Sequence, residues 1–237
     1  MTKFNKYLGL VLISLVIIPS FVFSHWRNNQ RNLSGVEVEV SHNHHDFLNV
    51  DIVNKLLIQN QELLSIRIKD TLALSSIEAE LETYPFILNA EVYTSPSRVL
   101  TVSVEERTPL LRIVGQEAYY VDAEAVKIPL TDYFTSHVPL FFGSPDENQT
   151  KALVGFMQKA NQDDFLKREI VQIDLKDGEY LLKIRSHDFM IEWGNYDSFK
   201  DKGQKLKTLC KYLETLKEKP DFTKINLKFK QQVIASS

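Results

Sequence analysis

A single cysteine, Cys210, stands in 237 residues. That scarcity excludes an internal disulfide framework, a zinc site built on several thiolates and a redox CxxC pair. Glycine is sparse and scattered, eight residues in all, and no Walker loop, GxGxxG, GxSxG or HExxH occurs. The chain therefore offers no phosphate cradle, nucleophile elbow or zincin motif. Charge of one sign is missing as well: 28 basic residues face 31 acidic ones, a formal net of -3. No strong positive field is available, so a nucleic-acid partner is not expected. What is present is 43% apolar content, enough for one or two domains with real cores. No motif in the chain marks a catalytic or cofactor site.

The one long apolar run lies at the N-terminus. After Lys3 and Lys6, Tyr7 to Phe23 carries no charge, and His25, Trp26 and Arg27 follow. A helix over 7–26 would reach roughly 30 Å, the thickness of a bilayer hydrocarbon core, with Tyr7 and Trp26 suited to the interfaces. The expectation is a single transmembrane helix, with the tail 1–6 in the cytoplasm and the long remainder exported. A cleaved signal peptide, with Val22 and Ser24 as small residues before the cut, is the competing expectation; a typical h-region is only about 7–15 residues. Residues 27–34, polar and unpatterned, read as a linker.

Beyond it, Val36, Val38 and Val40 alternate with Glu37 and Glu39, the period of a half-buried strand. Asn49 is a candidate cap for a helix carrying Ile52, Val53, Leu56 and Leu57. Ser75 with Glu78 has the capping-box spacing for a second helix, with Leu74, Ile77, Leu81 and Tyr84 on one face and Pro85 as its stop. Strands over Ile87–Tyr93 and Val99–Glu105 flank a Ser95-Pro96-Ser97 turn. Strand, helix, helix, strand, strand makes an α+β layer of two helices on a small sheet. Further on, a helix begins near Asp146 with Leu153, Phe156, Met157 and Ala160 on its apolar stripe. Ile173 and Leu175 lead into an Asp177-Gly178 hairpin, with Leu182 and Ile184 returning. Met190–Trp193 is another strand. A lysine-rich helix buries Leu206, Leu209, Cys210, Leu213 and Leu216, and the chain closes on one strand in which Ile225, Leu227 and Phe229 alternate with polar neighbours.

Pro85, Ala90 and Val92, then Glu106, Arg107 and Pro109 in EERTP, resemble the motifs of the POTRA domain of the FtsQ/DivIB family of cell-division proteins. Tyr119–Asp122 (YYVD, with Tyr120 and Asp122), Ile128–Leu130 (IPL, with Pro129) and Val138–Gly143 (VPLFFG) resemble that family's second, β-rich domain. Ala125 stands where the family usually has glycine, so a tight turn of positive φ would fit poorly there. The resemblance implies an α+β protein with a transmembrane helix, a POTRA domain over 35–108 (β-α-α-β-β) and a C-terminal mixed β domain with flanking helices over 109–237. It implies a non-catalytic scaffold of the inner membrane, exported side outward, enriched at the septum. Its partners would resemble FtsB and FtsL, bound through the C-terminal domain, with earlier division proteins at the POTRA unit.

Within that frame the expected partner contact is the last strand: Ile225, Asn226, Leu227, Lys228, Phe229, Lys230, Gln231, Gln232, Val233 and Ile234. A terminal edge offers unpaired backbone groups to an incoming strand, and its lysines favour an acidic partner. POTRA units also serve envelope assembly and secretion, but no barrel-like alternation follows Pro109. A membrane-anchored periplasmic enzyme is the third class. His42, His44 and His45 beside Asp46 are the one cluster of ligand-type side chains, read as a solvated loop because no further ligand lies at metal spacing. Glu105 and Glu106 are adjacent on a strand and face opposite sides, so they read as surface or ion-pair charges rather than an acid/base pair. Cys210, inside a leucine stripe, reads as a buried small hydrophobe.

Overall fold

The computed structural model describes residues 13–24, 26, 35–41, 48, 50–59, 71–97, 99–131, 135–217 and 220–236. Two sheets organise the chain. The first holds β1 (Gly35–Ser41), β2 (Ile87–Thr94) and β3 (Val99–Glu106) in the order β1-β3-β2, with α1 (Val50–Gln59) and α2 (Thr71–Glu82) between β1 and β2 in sequence. β3 lies parallel to β1 and antiparallel to β2. Leu100, Val102 and Val104 of this central strand pack with Leu48, Val53, Leu57, Ile77 and Leu81 in one apolar core.

The second sheet is built from β4 (Leu111–Val114), β5 (Ala118–Val121), β6 (Lys127–Pro129), β7 (Leu140–Phe142), β8 (Ile170–Lys176), β9 (Glu179–Ile184), β10 (Met190–Gly194), β11 (Lys224–Asn226) and β12 (Ile234–Ser236). Its nine strands run in the order β12-β11-β10-β9-β8-β7-β4-β5-β6. α3 (Glu147–Ala160), α4 (Asp164–Glu169) and α5 (Phe199–Thr215) bury their apolar sides with Ile113, Phe141, Ile173, Leu182, Ile191 and Ile225. At the centre of that core Phe156 meets Tyr180, Trp193 and Phe199, ring centroids 4.5 to 5.5 Å apart, the spacing of attractive aromatic pairs.

Local chemistry explains the elements. Asp146 starts α3 with a full capping box: its carboxylate accepts from the Gln149 N–H while Gln149 accepts from the Asp146 N–H. Asp177 and Gly178 both have positive φ, 52° and 78°, the conformation of the two-residue turn whose twist matches antiparallel strands. Gly194 is needed twice over: its φ is +77°, and a Cβ there would lie 2.6 Å from Cγ of Lys228.

Several sequence expectations are corrected. Among the described residues no helix is long and apolar enough to cross a membrane, which overturns the transmembrane helix expected over 7–26. Residues 7–12, the tail 1–6, the linker 27–34, Asn49 and the histidines 42, 44 and 45 lie outside the described residues. Ser75 caps nothing, because α2 already begins at Thr71. That helix ends at Glu82, before Tyr84, since the residue preceding Pro85 is disfavoured in helical conformation. The final strand is two: the Asn226 side chain accepts from the Lys228 N–H, folding the chain out of β11 before it returns as β12, antiparallel to β11.

Candidate functional site

Two places collect the residues that the sequence singles out. The first is the stretch joining the two sheets. Glu106, the last residue of β3, is fully buried, and its Oε1 accepts from the Leu48 N–H at 3.0 Å, tying the approach to α1 to the end of β3. Arg107 continues the ladder, its N–H donating to the Phe86 carbonyl. Its guanidinium Nη1 donates to Oδ2 of Asp122 at 2.5 Å and to Oε2 of Glu124 at 2.9 Å. Burial works against charge on Arg107, but the bonds to Glu124 and Asp122 outweigh it and hold the side chain as a cation.

Asp122 serves both sides. Its other oxygen accepts the N–H groups of Glu124 and Val126, an Asx turn that reverses the chain between β5 and β6. Ala125 in that turn has φ of +63°, so the left-handed conformation expected to fit alanine poorly is present and alanine carries it. Tyr120 is fully buried and its hydroxyl accepts from the Ser136 N–H at 3.0 Å. Together with Ile128 it packs against Phe86 and Val138, and Phe86 also packs against the first core. Pro109 is buried, and Pro129 pairs with Tyr119 on β6. Ala90 and Val92 turn their side chains into the first core while their N–H groups donate to Glu82 and Glu78 of α2, at 3.4 and 2.8 Å. Pro85 sits half-buried between helix and strand. These residues are an architectural set; their carboxylates hold backbone and a guanidinium, and leave no acid/base pair poised over a cavity.

The second place is the C-terminal end of the large sheet. β12 is its terminal strand. Ile225 and Leu227 are fully buried, as their alternation predicts, whereas Phe229 and Ile234 are 46% and 42% exposed. Lys228 is engaged within the molecule: its Nζ bonds Glu179 at 2.9 Å and lies 3.9 Å from Glu192. The Glu179 bond holds its ammonium above the ordinary lysine range. Lys205 of α5 donates to the Phe229 carbonyl and pins the loop. Lys230, Gln231 and Gln232 are exposed. Beside this edge Gln204, Lys205, Thr208, Leu209, Tyr212 and Val233 line a groove of about 360 Å³. Tyr212, 59% exposed, stands on its rim. A strand edge with an adjoining apolar groove can pair backbone with an incoming segment and seat its alternate side chains.

Residues 108–236, more than half of the chain, match the family model described as FtsQ/DivIB, C-terminal related. The chain belongs to the FtsQ/DivIB family. No curated protein matches it. The FtsQ/DivIB proteins are non-catalytic cell-division proteins that act at the septum with other members of the divisome, and the matched stretch contains Pro109, Tyr120, Asp122, Pro129 and the whole C-terminal edge.

In this FtsQ/DivIB chain Cys210 is buried, and desolvation, helped by the charges of Glu169 and Glu214, pushes its thiol up to about 11. A thiol held protonated is no nucleophile. Among the described residues no group of three or more His, Cys, Asp or Glu sits where it could hold a metal ion. Sequence reading missed the role of Glu78 and Glu82 in covering the N–H groups of edge strand β2; carboxylates at i and i+4 beside a strand motif were the available signal. It also missed Ser136 and the α5 groove, which depend on contacts remote in sequence.

Proposed function

We propose that this protein is a non-catalytic scaffold of the septum that links early and late division proteins and captures a late partner, similar to FtsB or FtsL, along β12 and the exposed residues of the segment Ile225–Ile234, within which Ile225 and Leu227 are buried. One observation carries this reading: the nine-stranded sheet ends on β12, beside an apolar groove on α5. Strand addition there supplies main-chain hydrogen bonds, and the groove supplies selectivity for alternate side chains. Lys230 and Lys224 favour an acidic partner segment, while Lys228 is already engaged by Glu179 and contributes less. The β-α-α-β-β unit over residues 35–106 is a POTRA-like second contact surface, suited to earlier division proteins.

The test is binding of the host's own FtsB- and FtsL-like segments to the full chain, by anisotropy or calorimetry. Phe229→Asp with Lys230→Glu is expected to weaken capture at least about tenfold, since it places charge on an exposed apolar contact and reverses the field at the edge. Equal affinity for the variant and the wild type would refute the edge as the contact.

A further inference from the structure

A second surface of the large sheet is chemically unfinished. β4, β7 and β8 run parallel to one another, and parallel strands are ordinarily covered on both faces. Here the helices cover one face, through Leu111, Ile113 and Phe141. The opposite face carries Arg112 paired with Leu140 and Val114 paired with Phe142, and Phe142 is 52% exposed. Tyr120 and Ile128, on β5 and β6, are covered by Phe86 and Val138, whereas Arg112, Val114 and Leu140 are half-buried and Phe142 is exposed.

The Arg112 guanidinium lies 5.7 Å from the centre of the Tyr120 ring, which compensates the cation through its flat face. The in-plane N–H donors are not served by that contact. Its Nε is buried and has no acceptor among the described residues. Arg112 forms no ion pair among the described residues, in contrast to Arg107, which has two. On the other side of Tyr120, Ser136 donates its N–H to the tyrosine hydroxyl while its own buried Oγ has no partner among the described residues.

We propose that Arg112, Val114, Leu140 and Phe142 form a docking face for a protein segment that presents a carboxylate next to an apolar side chain. The carboxylate closes on the guanidinium fork, the group of matching geometry for it. The apolar neighbour covers Phe142 and Leu140. A free anion would answer Arg112 but leave the Phe142 ring in water, so the occupant is a polypeptide. The face is distinct from β12 and does not rest on the reading of the C-terminal edge.

The test is site-specific photocrosslinking of the full chain in its native cells, with a benzophenone amino acid in place of Phe142 and, in a second strain, in place of Phe229. The expected result is a protein adduct at 142 whose mapped peptide has Asp or Glu within a few residues of an apolar side chain. Arg112→Glu is expected to cut that adduct at least about tenfold, and changing the mapped carboxylate to lysine is expected to restore it in the Arg112→Glu background. Any adducts at 229 stay unchanged, which separates this face from the C-terminal edge, and an unchanged melting temperature separates a lost contact from a lost fold. If thermal melting shows that Arg112→Glu unfolds the chain, Arg112→Gln takes its place with the same expectation. No adduct at 142, an adduct to a second copy of the chain or to lipid, a mapped peptide without a carboxylate, or a yield indifferent to Arg112 overturns the proposal.

Discussion

Asp122→Ala is the substitution whose effect can be worked most fully from the structure. The carboxylate is 5% exposed and faces Arg107, itself 11% exposed. Removing one member of a buried ion pair leaves the other charge uncompensated, at a cost of about 3–5 kcal/mol. Arg107 keeps Glu124, but that partner is 63% exposed and contributes little, so the low end, about 3 kcal/mol, applies. The N–H groups of Glu124 and Val126 lose their acceptor as well. They lie in a surface turn that water can reach, which adds about 0.5–1 kcal/mol each. The sum is about 4 kcal/mol, a large share of the 5–15 kcal/mol by which domains are ordinarily stable. Urea unfolding followed by fluorescence reads it directly, because Trp193 is fully buried in the core of the large sheet. Arg107→Met in the same background completes a double-mutant cycle. The double variant is expected to be less destabilised than the sum of the singles by about 2 kcal/mol, since the stranded charge is gone. A loss under about 1 kcal/mol for Asp122→Ala, or strict additivity in the cycle, would refute the idea that this pair fastens the junction.

Ala125→Gly is expected to stabilise the chain by roughly 0.5 kcal/mol: relief of about 1–2 kcal/mol of left-handed strain exceeds the added chain entropy and the loss of a half-buried methyl, and a lower urea midpoint would contradict this. Glu106→Ala should cost about 2 kcal/mol and speed exchange of the Leu48 amide, whereas Glu106→Gln, which keeps an acceptor, should lose less than half as much; equal effects would show that the bond is unimportant. For Cys210 the folded thiol titrates near 11 against an ordinary 9.0, so the fold favours the protonated form. That contribution is complete below pH 9 and is lost as pH rises toward 11. Cys210→Ala should therefore flatten the fall in stability over this window, and an unchanged slope would contradict burial as the cause.

Much of the fold is legible in local pattern, and the departures have identifiable physical causes. Leu100–Val104 and Ile225–Leu227 announce strands because one face of each is buried, Val38 and Val40 of β1 are half-buried while Val36 is exposed, and Asp177-Gly178 announces its hairpin because few other pairs accept two positive φ angles. The left-handed turn at Ala125 could be anticipated only from the glycine missing there. Ser75–Glu78 misleads because a capping box and a helix-to-sheet clasp use the same residue types: Glu78 reaches Val92 across the layer instead of a helix terminus. The C-terminal segment misleads because alternation records which side chains are buried, whereas the break after β11 comes from one Asn226 side-chain bond. The apolar N-terminal run suggests a span on hydropathy alone, and among the described residues no helix is long and apolar enough to cross a membrane. Parallel pairing of β4, β7 and β8, and with it the face that carries Arg112 and Phe142, joins segments far apart in sequence. The family motif residues could be picked out one by one, but that Arg107, Asp122 and Tyr120 converge on a single junction depends on tertiary structure.

Cell length in the native host shows whether this protein is a division scaffold that works through its C-terminal edge. The protein is depleted and replaced by a fluorescently tagged wild type or by the Phe229→Asp, Lys230→Glu variant. Long unseptated filaments on depletion, rescue by the wild type, and failure of the variant to restore septation while it is still present at normal abundance are predicted. Normal cell length on depletion, with the tagged protein spread evenly and absent from midcell, would contradict the account.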